Sequence, residues 1–310
     1  MRHATLNMAI SAILLILGSQ SANAGPAVLY VSTSAPGVDA FTSNGTGSFY
    51  YSAGPTGPAG IAADNKGDLF VANYSSNTIE EIAPGGVASV FASSGLSGPF
   101  GLTFDAAGNL YASNATANTI SEFTPSGTAT QFANTGLSHP FGIAFDAAGN
   151  LYAANVTNNT IEKFAPNGTG TAFVSSGLFA PNSVAFDSAG DLYVTNLNGT
   201  IDKIAPDGTE SLFASGLNAP TGLAVDSAGD VYVATADDTV VEYTPGGAST
   251  IFASTGSDTP VGLAFVPEPE AFVMLFTSLV VLAALSGRRR RTVAAVTTMA
   301  SNCRRLPRRS

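Results

Sequence analysis

Residues 101–141 read GLTFDAAGNLYASNATANTISEFTPSGTATQFANTGLSHPF, and residues 142–182 read GIAFDAAGNLYAANVTNNTIEKFAPNGTGTAFVSSGLFAPN. Two consecutive stretches with nearly one text limit the fold more than any composition does. Self-similarity at a fixed period of this length marks an architecture made by repeating one supersecondary unit. The anchors are Asp64, Asp105, Asp146, Asp187 and Asp226, spaced 41, 41, 41 and 39 residues apart. A lone Gly262-Leu263-Ala264-Phe265 follows the fifth unit, with Val266 where the aspartate stood.

Each unit predicts four short strands, in the second unit GLTFD, NLYASN, TISEFT and ATQFAN. β-Branched and aromatic residues fill alternate positions, as half-buried strands require. Asp105-Ala106-Ala107-Gly108 fits a tight hairpin turn, with glycine free to take positive φ. Pro125-Ser126-Gly127 supplies the second hairpin, proline fixing φ at the entry and glycine the left-handed exit. Ahead of the full units lie three strand-like strings, Val28–Thr33, Val38–Ser43 and Ser48–Ala53, with no GLAFD-type string before them. The C-terminal Gly262–Phe265 supplies that missing strand. The expected fold is therefore all-β, a six-bladed β-propeller over residues 25–266, its last blade shared between the two ends of the chain. Pairing the ends also removes two exposed sheet edges.

Charge narrows the function. Between Gly25 and Phe265 there are twenty Asp or Glu, three Lys and no Arg. So acidic a body repels phosphate backbones, which excludes nucleic acid as a partner. Cys303 is the chain's one cysteine and lies in the tail, so the propeller has no disulfide and no thiolate metal site.

The flanks speak of destination. Residues 1–24 read as a secretory signal peptide, with Arg2, an apolar Met8–Gly18 core and an Ala22-Asn23-Ala24 cleavage site. Pro267, Glu268 and Pro269 precede an apolar run, Ala271–Leu285, and then Arg288, Arg289, Arg290 and Arg291. The run is just long enough for a transmembrane helix. Four arginines, at about 2.5–3.5 kcal/mol each at mid-bilayer, do not cross. This order resembles the PEP-CTERM sorting signal of exopolysaccharide-producing Gram-negative bacteria. The resemblance implies an exosortase-type processing enzyme as partner, a membrane-anchored stage before processing, and then the cell envelope or extracellular matrix. Residues 292–310 continue as a basic tail.

The strings P-x-G-[LI]-[AT]-[FV]-D-x-x-G-[ND]-[LV]-Y-[VA], followed by N-T-I and P-x-G-T, resemble NHL-type repeats and the blades of the streptogramin lyase family. That likeness covers Gly60–Phe265 and implies a propeller whose ligands meet at the channel mouth. On the mouth face fall Pro58-Ala59, Pro99-Phe100, Pro140-Phe141, Pro181-Asn182, Pro220-Thr221 and Pro260-Val261. With them go Asn73, Asn114, Asn155 and Asn196, each ending a second strand and each expected to hydrogen-bond the following loop.

A lyase needs a positioned general base. His139 is the one histidine outside the signal sequence, and no second imidazole can pair with it. Pro181-Asn182 resembles the Pro-Asn-Gly metal-ligand motif of the regucalcin/gluconolactonase family, with Ser183 in place of glycine and Thr221 where an aspartate would follow. Asn182 therefore reads as a turn residue or polar pocket lining. The Asp-x-x-Gly turns lack the alternating oxygen ligands of a calcium loop. No catalytic residue, metal or cofactor is assigned. Asn73, Asn114, His139, Asn155, Asn182 and Asn196 remain as candidate mouth-binding residues. The expected role is a non-enzymatic binding or scaffold module for exopolysaccharide or an envelope protein. The alternatives are a lyase- or gluconolactonase-like enzyme and a purely structural matrix protein.

Overall fold

The computed structural model describes residues 27–35, 37–51 and 57–266. The signal sequence, the PEP motif, the apolar run with its expected transmembrane helix, the arginine block and the basic tail lie outside these. Among the described residues there is no helix, and so none long and apolar enough to cross a membrane. Twenty-four strands form six four-stranded antiparallel sheets. In sequence the blades are 58–92, 99–133, 140–174, 181–214 and 223–254, called blades 1 to 5. Blade 6 takes its innermost strand, Pro260–Phe265, from the C-terminal side. It then adds Ala27–Thr33, Gly37–Thr42 and Gly47–Tyr51 from the N-terminal side. Innermost strands of neighbouring blades touch in the order 1-2-3-4-5-6-1, so the ring is closed. The closing register pairs Leu29 with Phe265 and Val31 with Leu263.

The aspartate turns are structural. Asp105 Oδ1 accepts the backbone N–H of Ala107 at 2.9 Å and of Asn109 at 2.8 Å. Asp64, Asp146, Asp187 and Asp226 accept the same two bonds in their own turns. Gly108 closes the turn at φ +85°, a conformation that glycine enters without Cβ strain.

The core is divided rather than central. Six apolar clusters fill the six seams between adjacent blades. A ring from the second strand stands edge-on to two phenylalanines in most of them. Tyr152 meets Phe173 of its own blade at 5.0 Å and Phe186 of the next at 4.9 Å. Tyr111 and Tyr232 repeat this at their seams, and Phe70 does so with Phe91 and Phe104. T-shaped pairs of this kind add to burial through the ring quadrupole.

At the axis the seams become too narrow for side chains. A Cβ on Gly101 would lie 2.4 Å from the Phe141 carbonyl oxygen, and one on Gly142 would lie 2.6 Å from Ser183 Cα. The P-x-G glycine is thus required by close approach of backbones. Hydroxyls reinforce alternate seams. Ser113 Oγ accepts from Gly101 N at 2.8 Å and donates to Phe141 O at 2.6 Å. Ser32 and Thr195 make the equivalent bridges, from Gly262 N to Ala59 O and from Ser183 N to Thr221 O.

Candidate functional site

The loops that enter the innermost strands and those between second and third strands lie on one face, around the mouth of the axial channel. They are tied in pairs by backbone bonds, such as Tyr74 N to Gly57 O at 2.9 Å and Ala115 N to Gly98 O at 2.9 Å. The channel encloses about 70 Å³ and is lined mainly by the axial glycines and the apolar residues that follow them.

The structure places three of the four strand-end asparagines as loop staples. Asn73, Asn114, Asn155 and Asn196 are 0–1 % exposed. Oδ1 of Asn114, Asn155 and Asn196 accepts, at 3.0 Å each, the backbone N–H of Ser97, Ser138 and Phe179. These donors lie seventeen residues upstream, in the loop leading into the same blade; for Asn73 the position seventeen residues upstream, 56, lies outside the described residues. The expected bond to the following loop is thus corrected: the backbone partner is in the preceding loop. The following turn contributes a hydroxyl instead, Thr119 Oγ1 for Asn114 and Thr160 Oγ1 for Asn155, both at 3.1 Å.

A second asparagine set escaped the sequence reading. Asn77, Asn118 and Asn159, the first letter of each N-T-I string, take left-handed φ of 54°, 55° and 58°. Their Oδ1 atoms reach across the seam to the N–H of Gly98, His139 and Ala180 of the next blade, each at 2.6 Å. The signal was present: each recipient falls twenty-one residues after its asparagine. In blade 4 the slot is Gly199, whose carbonyl accepts Leu217 N at 3.1 Å.

His139 stands at the mouth with φ 54°, half-buried, its ring 4.9 Å from that of Phe141. Phe141 stacks on Phe100 with centroids 3.8 Å apart and planes 7° from parallel. Tyr74 meets Phe100 edge-on at 6.5 Å. An aromatic arc therefore covers the blade 1–3 side of the mouth. Phe179, in the blade 4 loop, is 54 % exposed. Ala59, Asn182, Thr221 and Val261 hold the positions equivalent to Phe100 and Phe141 in the other blades. Asn182 is 5 % exposed and lines the channel with Ser183.

Beneath the loops, carboxylates occupy one position of the third strand in blades 1, 3 and 4. Burial pushes the Glu80, Glu162 and Asp202 carboxyls above their ordinary values. At Asp202 the Asn196 amide, donating to Oδ2 at 2.7 Å, offsets part of that rise. Among the described residues no group of three or more His, Cys, Asp or Glu is arranged to hold a metal ion.

A family model described as the virginiamycin B lyase family matches residues 46–269. No curated protein matches in sequence. Solved structures share the fold at low identity. One titled as a nidogen/laminin complex superposes with a TM-score of 0.71 at 18 % identity, covering 77 % of this chain and 98 % of that one. A catalytically inactive histidine-to-alanine variant of virginiamycin B lyase from Staphylococcus aureus, with quinupristin, gives 0.57 at 20 %, covering 67 % and 77 %. A gluconolactonase from Xanthomonas campestris gives 0.60 at 16 %, covering 78 % and 91 %.

Proposed function

The chain belongs to the virginiamycin B lyase family, and from that premise we propose that it is an exported propeller that binds its ligand at the channel mouth without turning it over. One observation carries this reading. The strand-end amides Asn114, Asn155 and Asn196 are consumed by loop bonds. The stacked Phe100–Phe141 pair is what the mouth offers instead. Stacked rings bury apolar area and perform no proton transfer, which suits recognition. The test is sedimentation of the purified propeller with insoluble envelope material. Saturable retention is expected, and it is lost in the Phe100→Ala/Phe141→Ala double variant. Retention without saturation would instead make this a structural matrix protein.

A second reading, the lyase, has a specific observation in its favour. His139 stands at the mouth beside Phe141, and a histidine-to-alanine change leaves the Staphylococcus aureus lyase inactive. Incubation with quinupristin followed by mass spectrometry tests it. Under the binding reading the compound is recovered unchanged. A product that disappears in His139→Ala establishes the lyase.

Export and sorting are part of the same proposal, supported by the signal sequence and by Pro267–Arg291. The propeller acts in the envelope or extracellular matrix after processing near the PEP motif. Co-expression with an exosortase, read by intact mass, is expected to release a species ending near Pro269. Glu268→Ala prevents the release.

A further inference from the structure

We propose that the mouth takes the terminal sugar of a neutral glycan end-on, with the Asn182 amide as its hydrogen-bonding anchor and the Phe100–Phe141 pair as its apolar wall; this rests on reading the mouth as a binding site. Among the described residues lining the channel, Asn182 and Ser183 are the ones that bring a polar side chain. Asn182 is 5 % exposed as a residue, and among the described residues its amide makes no hydrogen bond and keeps its polar atoms open to the channel. This sets it apart from Asn114, Asn155 and Asn196, whose amides are bonded within the protein. An amide on the channel wall whose donor and acceptor are not taken up within the protein can receive a partner that supplies both.

Its neighbours define that partner. Gly101 packs on the Phe141 carbonyl, and Gly142 packs on Ser183 and on the Asn182 carbonyl. Phe100, Phe141 and Asn182 are therefore consecutive around the axis, at one level. The ligand must present an apolar face to rings and a hydroxyl edge to an amide. A hexopyranose does both, since each hydroxyl donates and accepts while the ring C–H groups form a face. Charge excludes acidic polymers. Residues Gly25–Phe265 carry three Lys against twenty Asp or Glu, a formal −17 that repels uronic or phosphorylated chains. Size and depth set the orientation. A channel of about 70 Å³ admits a substituent such as a hydroxymethyl group and not a ring. The anchor lies on the channel wall, which an end reaches more readily than the middle of a chain.

The experiment is calorimetric titration of the purified propeller with neutral glucans in linear and cyclic form. Maltohexaose is set against cyclomaltohexaose and linear against cyclic β-1,2-glucan, with cellohexaose and laminarihexaose as further linear probes. At least one linear probe is expected to bind, with its cyclic counterpart at least tenfold weaker where one exists. Asn182→Ala and Asn182→Asp are each expected to weaken it at least tenfold while melting as wild type does. Equal binding of linear and cyclic forms overturns the end-on orientation. Unchanged affinity in well-folded Asn182→Ala overturns the anchor. If no glucan binds while sedimentation with envelope material still depends on Phe100 and Phe141, the glycan assignment is wrong and the binding site stands. If that sedimentation is also unaffected by the double variant, the mouth is not the binding site.

Discussion

Replacing Gly101 by alanine is expected to loosen the blade 2–3 seam and cost about 3 kcal/mol. The new Cβ would meet Phe141 O at 2.4 Å, Ile143 N at 3.1 Å and Gly142 Cα at 3.2 Å. All three are backbone atoms, so no side-chain rotation relieves the clash. Ordinary carbon–oxygen contacts lie at about 3.3–3.6 Å, so the two inner strands must part by about 1 Å. Overpacking of this kind costs about 1–3 kcal/mol. The same movement strains the Ser113 bridge, 2.8 Å from Gly101 N and 2.6 Å to Phe141 O. Each of those bonds contributes about 0.5–1.5 kcal/mol. For a domain of this size one kcal/mol moves the melting temperature by about 2–4 °C, so the fall is about 6–12 °C by calorimetry. Ser183 is the internal control, because there the chain already carries a Cβ at the equivalent position, and Ser183→Gly is expected to leave the seam intact. A Gly101→Ala melt within about 2 °C of wild type would refute close approach as the reason for glycine at the axis.

Deleting residues 25–53 removes three strands of blade 6 and leaves the innermost strand of that blade unpaired; an open, aggregating ring is expected, and a wild-type melt would sink the closure argument. Asn118→Ala removes the acceptor of His139 N at 2.6 Å across the blade 2–3 seam; a loss of about 1 kcal/mol is expected, together with faster amide exchange at His139 and none of these changes in Asn118→Asp. Glu162→Gln addresses pH. Burial raises the Glu162 carboxyl above the ordinary value of 4.5, so between the two values the folded state holds the extra proton and stability falls as pH rises through that window. The variant is therefore expected to melt above wild type at pH 7 and level with it at pH 4, and a pH-independent difference would show that ionisation is not involved.

How far the letters predict the molecule depends on what each letter touches. The blade count, the hairpin turns and the shared sixth blade were legible, because strand alternation, Asp-x-x-Gly and Pro-x-Gly act within a few residues. The missing first strand of one partial unit matched the surplus strand after the last full one. Asparagine was harder. Asn114 and Asn118 are four residues apart in one blade, yet one bonds seventeen residues back and the other twenty-one forward. Which way each amide turns is fixed by where loops of two blades come to rest, and periodicity carries no record of that. Likewise the sequence displays Phe100 and Phe141 as equivalent positions of two repeats. Their 3.8 Å stacking depends on the inner strands approaching closely enough to exclude a Cβ.

Closeness at the axis also explains where specificity can reside. In five of six blades the proline of this string begins the inner strand, Pro220 of blade 5 lying just ahead of it, and in five of six blades the position after next is a glycine held by the next blade's backbone. Where it is glycine, a Cβ added there would meet backbone of the next blade. The residue between them has its backbone fixed by the same contacts, but its side chain is released from seam duty at the mouth. There the six units differ: Ala59, Phe100, Phe141, Asn182, Thr221 and Val261. Duplication of one unit would deliver six identical side chains and a symmetric, undiscriminating mouth. The chain instead presents two stacked rings, then an amide, then a hydroxyl already donating to Pro260 O at 2.9 Å. Blade 4 is the one unit in which both letters depart together, Asn182 with Ser183, and Ser183 is the one axial position that admits a Cβ. A change at the mouth accompanied by a change in the seam that supports it is what fitting a ligand requires. Under the proposed binding role, the blade 3–4 side of the mouth is the place to expect partner recognition.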